Sequence, residues 1–177
     1  MPPIGTNDTI SVIGKHLYTS NGTPFQMKGI AFPVPTDPSY YNATNWINVL
    51  DQLHSSLGDG NINTIRLYRT DPSVDYSEFF NAAAERGIYI MVPLTAATGA
   101  GDLDRKVAAP HCYPRKLYDF GVASLRNYLE YPNIIAGLVG NEVINTGEAW
   151  QAASCVKAYV RDLKDYMAKN VGKKGGL

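Results

Sequence analysis

Two residues able to do chemistry stand side by side at Asn141 and Glu142. They follow the apolar run Ile134, Ile135, Ala136, Gly137, Leu138 and Val139, which stops on Gly140. A run of that length and composition suits a strand buried on both faces, as in a parallel sheet. A carboxylate at the mouth of such a strand is costly unless it is paired or put to use. The plain alternative is a solvated acid at a strand end. A second polar group, Arg66, Tyr68 and Arg69, ends the stretch Asn63 to Arg69. Arg66 and Tyr68 are two residues apart and share a strand face, and the donor fork of Arg66 could orient a carboxylate. Their structural alternatives are a buried ion pair and a core aromatic. His16, His54 and His111 are scattered, and Cys112 and Cys155 lack metal-ligand spacing, so neither a metal nor a cofactor is expected. The two cysteines form one bridge or remain two buried thiols.

The elements that must position these residues repeat in one order. Around Ser20-Asn21-Gly22-Thr23, residues 10–32 read as a β-hairpin whose second arm enters a first buried strand, Met27 to Phe32. Pro33, Pro35 and Pro38 force a loop. Trp46, Val49, Leu50, Leu53 and Leu57 form a one-sided helical stripe, with Thr44 as N-cap and Gly58 and Gly60 as the stop. The strand at 63–69 is followed by a helical face of Tyr76, Phe79, Phe80, Ala83 and Ala84. A third strand, Ile88 to Leu94, carries an awkward Pro93. After a long polar loop, Thr95 to Pro114, comes a helix marked by Leu117, Phe120, Leu125, Tyr128 and Leu129. The Ile134 strand leads to a last helix with Val156, Tyr159, Val160, Leu163 and Met167 on one face.

Four strand–helix units in succession predict an α/β fold with parallel strands and right-handed crossovers. A doubly wound sheet and part of an eightfold barrel both accommodate them. No GxGxxG or GxxxxGK[ST] turn follows any strand, and the polar residues gather at strand C-termini, where barrels build their sites. The prediction is a (β/α)8 TIM-barrel type with about its first four βα units. Residues 1–26 are a β-hairpin extension, 27–170 the partial barrel and 171–177 a flexible tail.

Composition narrows the function. The chain has 177 residues, 45% hydrophobic and 18% charged, enough for one domain with a sizeable core. Zero net charge leaves no electrostatic footprint for nucleic acid. No apolar run approaches the roughly 20 residues of a membrane span. Twelve Tyr and five Phe can stack on sugars or fill a core. N-x-Thr sequons at Asn7, Asn21 and Asn42 mildly favour a secreted protein, although the first residues do not read as a secretory leader.

The stretches KGIAF, NTIRLYRTDPS, ERGIYIMVPL and IIAGLVGNEVIN, spread from about Met27 to Lys169, resemble the catalytic domain of the fungal β-1,3-glucanosyltransferases, family 72 of the glycoside hydrolases. The resemblance implies cleavage of β-1,3-glucan, covalent retention of the new end and its transfer to another glucan, remodelling the fungal cell wall. It implies a secreted, cell-surface setting, commonly with a glycolipid (GPI) anchor. Retaining chemistry needs one carboxylic acid to protonate the leaving oxygen and a second carboxylate about 5 Å away. By resemblance Glu142 is the acid/base, best placed in an apolar, partly dry setting. Asn141 holds the sugar 2-hydroxyl, Tyr68 lines the sugar site, and Arg66 stands beside it.

Three departures from the family pattern shape the expectation. The family nucleophile, a Glu on the seventh strand, has no counterpart here. Glu148, Asp162 and Asp165 follow Glu142, but on or near a helix outside the barrel. Ala31-Phe32-Pro33 replaces a Tyr-Gln pair that helps to bind sugar, and Pro93 replaces an acidic residue. The chain therefore reads as a divergent, truncated product that lacks its nucleophile. Two open sheet edges, Met27–Phe32 and Ile134–Val139, invite self-association. The alternatives are a catalytically inactive β-glucan-binding fragment and an endo-β-glucanase of the same clan.

Overall fold

The computed structural model describes residues 8–32, 41–57, 62–96 and 102–170. The proline loop after Phe32, the Gly58 and Gly60 stop, residues 97–101 of the long polar loop and the tail at 171–177 lie outside those residues. An antiparallel sheet, order β1-β2-β3, comprises Ile10–Ile13, His16–Thr19 and Pro24–Phe25. A four-stranded sheet follows, order β4-β5-β6-β7, made of Gly29–Ala31, Thr64–Arg66, Tyr89–Pro93 and Ile134–Leu138. Helices α1 (Ala43–Leu57), α2 (Ser77–Glu85) and α3 (Arg115–Tyr128) connect its strands. Beyond β7 come a 3-10 helix, Gly147–Ala152, and α4, Ala153–Asn170.

The N-terminal sheet corrects the single hairpin read from the sequence. The turn at Asn21-Gly22 joins β2 to β3, but an earlier turn at Gly14-Lys15 makes β1 a separate strand. Asn21 Oδ1 accepts from the Thr23 N–H at 3.0 Å and from Thr19 Oγ at 2.7 Å, a local side-chain turn.

The chain divides into two compact units. Of the described residues, one comprises those from 8 to Val92 with Leu129–Ala136, and the other those of Pro93–Tyr128 with 137–170.

In the first unit, β4, β5 and β6 are parallel, pairing Gly29 with Thr64 and Thr64 with Tyr89. Asn63 sets the register of β4: its side-chain carbonyl accepts from the Lys28 N–H at 2.8 Å, and its amide donates to Gln26 O at 2.9 Å. The strands approach closely, for a Cβ on Gly29 would lie 2.6 Å from Thr64 O. β4 is short and mostly exposed, not the buried strand from Met27 to Phe32 expected from sequence. With β5 on one side only, it is a sheet edge.

Trp46 and Leu50 of α1 are buried, and Trp46 packs in an aromatic cluster with Phe32, Tyr41, Tyr76 and Phe79. Asn42, not Thr44, caps α1: its Oδ1 accepts from the Asn45 N–H at 2.9 Å. Arg86 joins α1 to α2, donating from Nη2 to Asp51 at 3.1 Å and from Nη1 to Ala82 O at 2.7 Å. At the start of β7 the buried Asn133 amide donates to Phe80 O and Ile88 O, and the Ile90 N–H donates to Asn133 O at 2.8 Å.

The second unit packs α3 against α4. Leu117, Leu125, Tyr159 and Leu163 are buried, and the Tyr159 hydroxyl donates to Leu94 O. The buried face of α4 runs through Cys155, Tyr159 and Leu163, so Cys155 stands where Val156 was expected. Cys155 is bonded to Cys112, with Cα atoms 6.0 Å apart. β7 also departs from expectation. Only Ile134 is fully buried, and Ile135 to Leu138 are half-buried, because this is an edge strand. Among the described residues, no helix is long and apolar enough to cross a membrane.

Candidate active site

Where β7 ends, the Leu94 N–H donates to Leu138 O at 2.8 Å, extending the parallel pairing begun at Ile90. The chain then turns sharply. Gly140 has φ 157°, and a Cβ there would lie 2.5 Å from Val143 Cγ2, so this position requires glycine. Two residues later Glu142 has φ 50°. It is the one non-glycine residue with positive φ among those described. For an L-residue that conformation costs about 1–2 kcal/mol, because Cβ crowds the following carbonyl. Asn141 and Glu142 are both exposed. The partly dry setting expected for Glu142 is therefore absent. β7 ends half-buried, and the turn carries the acid outward.

In the first unit, β5 ends at Arg66, and the Leu67 N–H still pairs with Met91 O at 3.0 Å. The Arg66 guanidinium lies 4.5 Å from the centre of the Tyr68 ring, a cation–π stack. Tyr68 remains 46% exposed, which rules out the core-aromatic alternative. Beyond it, Asp71 closes the loop by accepting from the Ser73 N–H at 2.8 Å and Oγ at 2.6 Å, while the Asp71 N–H donates to the buried Tyr76.

The structure thus joins Arg66 to Tyr68, and Asn141 to Glu142, the first pair at the C-terminal end of β5 and the second just beyond that of β7. Glu148 lies in the 3-10 helix, and Asp162 and Asp165 lie on α4. Asp162 is paired with Arg161 at 2.7 Å. Burial, and then the nearby Asp162 carboxylate, pushes the Tyr113 hydroxyl upward. No group of three or more His, Cys, Asp or Glu among the described residues is arranged to hold a metal ion. Trp150 and Ile144, 71% and 51% exposed on the connection that starts with Asn141 and Glu142, were not among the residues expected at the site. The available signal was a tryptophan in a polar, glycine-containing loop.

Parallel strands joined by helices, with an amide–acid pair leaving one strand end, have the character of part of a βα barrel. A family profile described as glucanosyltransferase matches residues 5–174. The chain belongs to that family, family 72 of the glycoside hydrolases. EPD2 of Candida maltosa is 30% identical over 178 residues, covering 91% of this chain and 31% of that protein. The 1,3-beta-glucanosyltransferase gas5 of Schizosaccharomyces pombe is 36% identical over 110 residues, covering 62% of this chain and 21% of that protein. The chain thus spans less than a third of the length of either relative. Saccharomyces cerevisiae Gas2p, in a structure with laminaritriose and laminaritetraose, shares the fold with a TM-score of 0.76 at 24% identity. That match covers 96% of this chain and 38% of the Gas2p chain.

Proposed function

We propose that this chain contributes part of the catalytic barrel of a 1,3-beta-glucanosyltransferase, which cleaves β-1,3-glucan and transfers the new end to another glucan. Residues 27–170 supply about four of eight βα units, behind a β extension at 1–26. The observation that carries the reading is Glu142, an exposed acid beside an amide, held left-handed at the end of a parallel strand. A non-glycine residue in that region marks a place where function outweighs local comfort.

Glu142 protonates the leaving glycosidic oxygen as the bond to the anomeric carbon breaks. It later takes the proton of the acceptor hydroxyl as the new bond forms. Between these steps a second carboxylate, about 5 Å from the acid, holds the sugar covalently. Asn141 donates to the sugar 2-hydroxyl. Tyr68 offers its ring to a sugar, and Arg66 braces that ring. The setting we assign is the cell surface or wall, with a glycolipid anchor. The Cys112–Cys155 bond supports an oxidising compartment. The exposed β4 and half-buried β7 edges support self-association.

A second reading is glucan binding without turnover. It is favoured by the exposed position of Glu142, which lacks the partly dry setting that suits a proton donor. One experiment separates the readings. The chain is incubated with a reduced laminari-oligosaccharide, beside Glu142→Gln, and products are sized by mass spectrometry. Longer products that vanish in Glu142→Gln support the transferase. Binding with no product supports the binding reading, and shorter products alone support an endo-glucanase. Turnover unaffected by Glu142→Gln overturns the assignment of the acid.

A further inference from the structure

The connection leaving β7 carries more than the acid. Six large apolar side chains are exposed among the described residues: Val12, Ile13, Met27, Tyr68, Ile144 and Trp150. Two of them, Ile144 and Trp150, lie on the single connection between β7 and α4, after Glu142. Trp150 is the most exposed of the six, at 71%. Tryptophan is on average a well-buried residue, so its exposure calls for a reason.

Trp150 does not stand on a frayed segment. It sits in the 3-10 helix, where residues three apart share a face. Ala149 and Ala152, three apart, are 2% and 0% exposed and press that face inward. The Ala149 N–H donates to Thr146 O at 3.1 Å, closing the first turn. Three residues past Ala152, Cys155 is bonded to Cys112. The helix is therefore anchored on both sides of Trp150, and its indole is held outward on a fixed base. A rigid aromatic face loses little conformational entropy when it takes up a ligand.

We infer that Trp150 is a sugar-stacking platform that binds a glucosyl unit of the β-1,3-glucan chain handled by Glu142. The chemistry fits. The glucosyl units of a β-linked glucan carry their ring substituents equatorially, so each ring face presents C–H groups that pack on an indole, while the rim hydroxyls stay in water. The inference rests on the glucan reading above, and adds to it a specificity residue on the connection that bears the acid.

The chain has two tryptophans, and the other, Trp46, is 1% exposed in the aromatic cluster. Any solvent-sensitive tryptophan emission therefore reports on Trp150. The chain is titrated with laminarihexaose while tryptophan emission, acrylamide quenching and binding heat are followed. Laminarihexaose is expected to shift the emission to the blue and to shield it from acrylamide. Trp150→Ala is expected to abolish the optical response and weaken binding about tenfold. Trp150→Phe, which keeps an aromatic face, stays within about threefold of the parent. The emission of Trp46 in Trp150→Ala verifies that the variant is folded. Binding heat with unchanged Trp150 quenching, or unchanged affinity in Trp150→Ala, overturns the platform and leaves the glucan reading standing. No binding heat in the parent overturns both.

Discussion

Replacing Glu142 with glycine or asparagine should make the protein more stable while removing its proposed proton donor. At φ 50° the residue bears the left-handed cost, about 1–2 kcal/mol for an L-side chain. Glycine removes that cost but gives the unfolded chain more freedom, which takes back about 0.5–1 kcal/mol. Glu142→Gly should then gain about 0.5–1 kcal/mol. Glu142→Asn should gain a similar amount, since asparagine tolerates this region through local hydrogen bonding. Glu142→Ala keeps the Cβ and therefore the crowding, so it should stay within about 0.5 kcal/mol of the parent. In a chain of this size each kcal/mol moves Tm by about 2–4 °C, so the Gly and Asn variants should melt about 1–4 °C higher. Circular dichroism melts and urea titrations of all four proteins measure this. The same variants should lose glucan transfer wherever the parent shows it. A drop in stability for both Gly and Asn, or an equal gain for Ala, would sink the idea that this backbone is strained for the sake of the acid.

Other expectations follow from the same geometry. Breaking the Cys112–Cys155 bond, with 43 residues of separation, should cost about 4 kcal/mol by loop-closure entropy, seen as a lower urea midpoint in Cys112→Ser/Cys155→Ser. Two free thiols in the denatured, unreduced parent would contradict the bond. Alkaline pH should unfold the protein through the buried Tyr89 and Tyr159 and the half-buried Tyr41 and Tyr113. Burial pushes Tyr41 and Tyr89 up to about 12 and Tyr113 and Tyr159 higher still, so the folded form keeps them neutral. Because these folded values lie above the unfolded value near 10, the stability they add is full below about pH 10 and is lost as pH rises toward 12. Part of the tyrosinate absorbance should then appear only together with loss of helix, and titration of every tyrosine with the helix intact would contradict it.

Much of the architecture was legible in the amino-acid order because its signals are local. The stripe of Trp46 and Leu50, the Phe79–Phe80 face and the β-branched strands each reveal their element through periodicity. The Gly14-Lys15 turn could have been read too, since glycine at the first central position suits a two-residue hairpin loop. The cap of α1 could not: Asn42 and Thr44 are both acceptable capping residues, and only the backbone path decides which oxygen reaches the Asn45 N–H. Although the Ile134 run was expected at an open edge, its burial was overestimated, because an apolar run by itself reads alike at the centre and at the edge of a sheet.

The order of residues alone determined the repeated strand–helix units and the amide–acid pair Asn141-Glu142 after an apolar strand. These depend on spacing and side-chain chemistry, which need no partners. Tertiary structure alone decided that Cys112 meets Cys155, that Arg66 stacks on Tyr68, that Glu142 leaves its strand left-handed and exposed, and that Trp150 faces water while Ala149 and Ala152 face inward. Each of these is settled by what lies opposite in space, and a linear pattern carries no record of that.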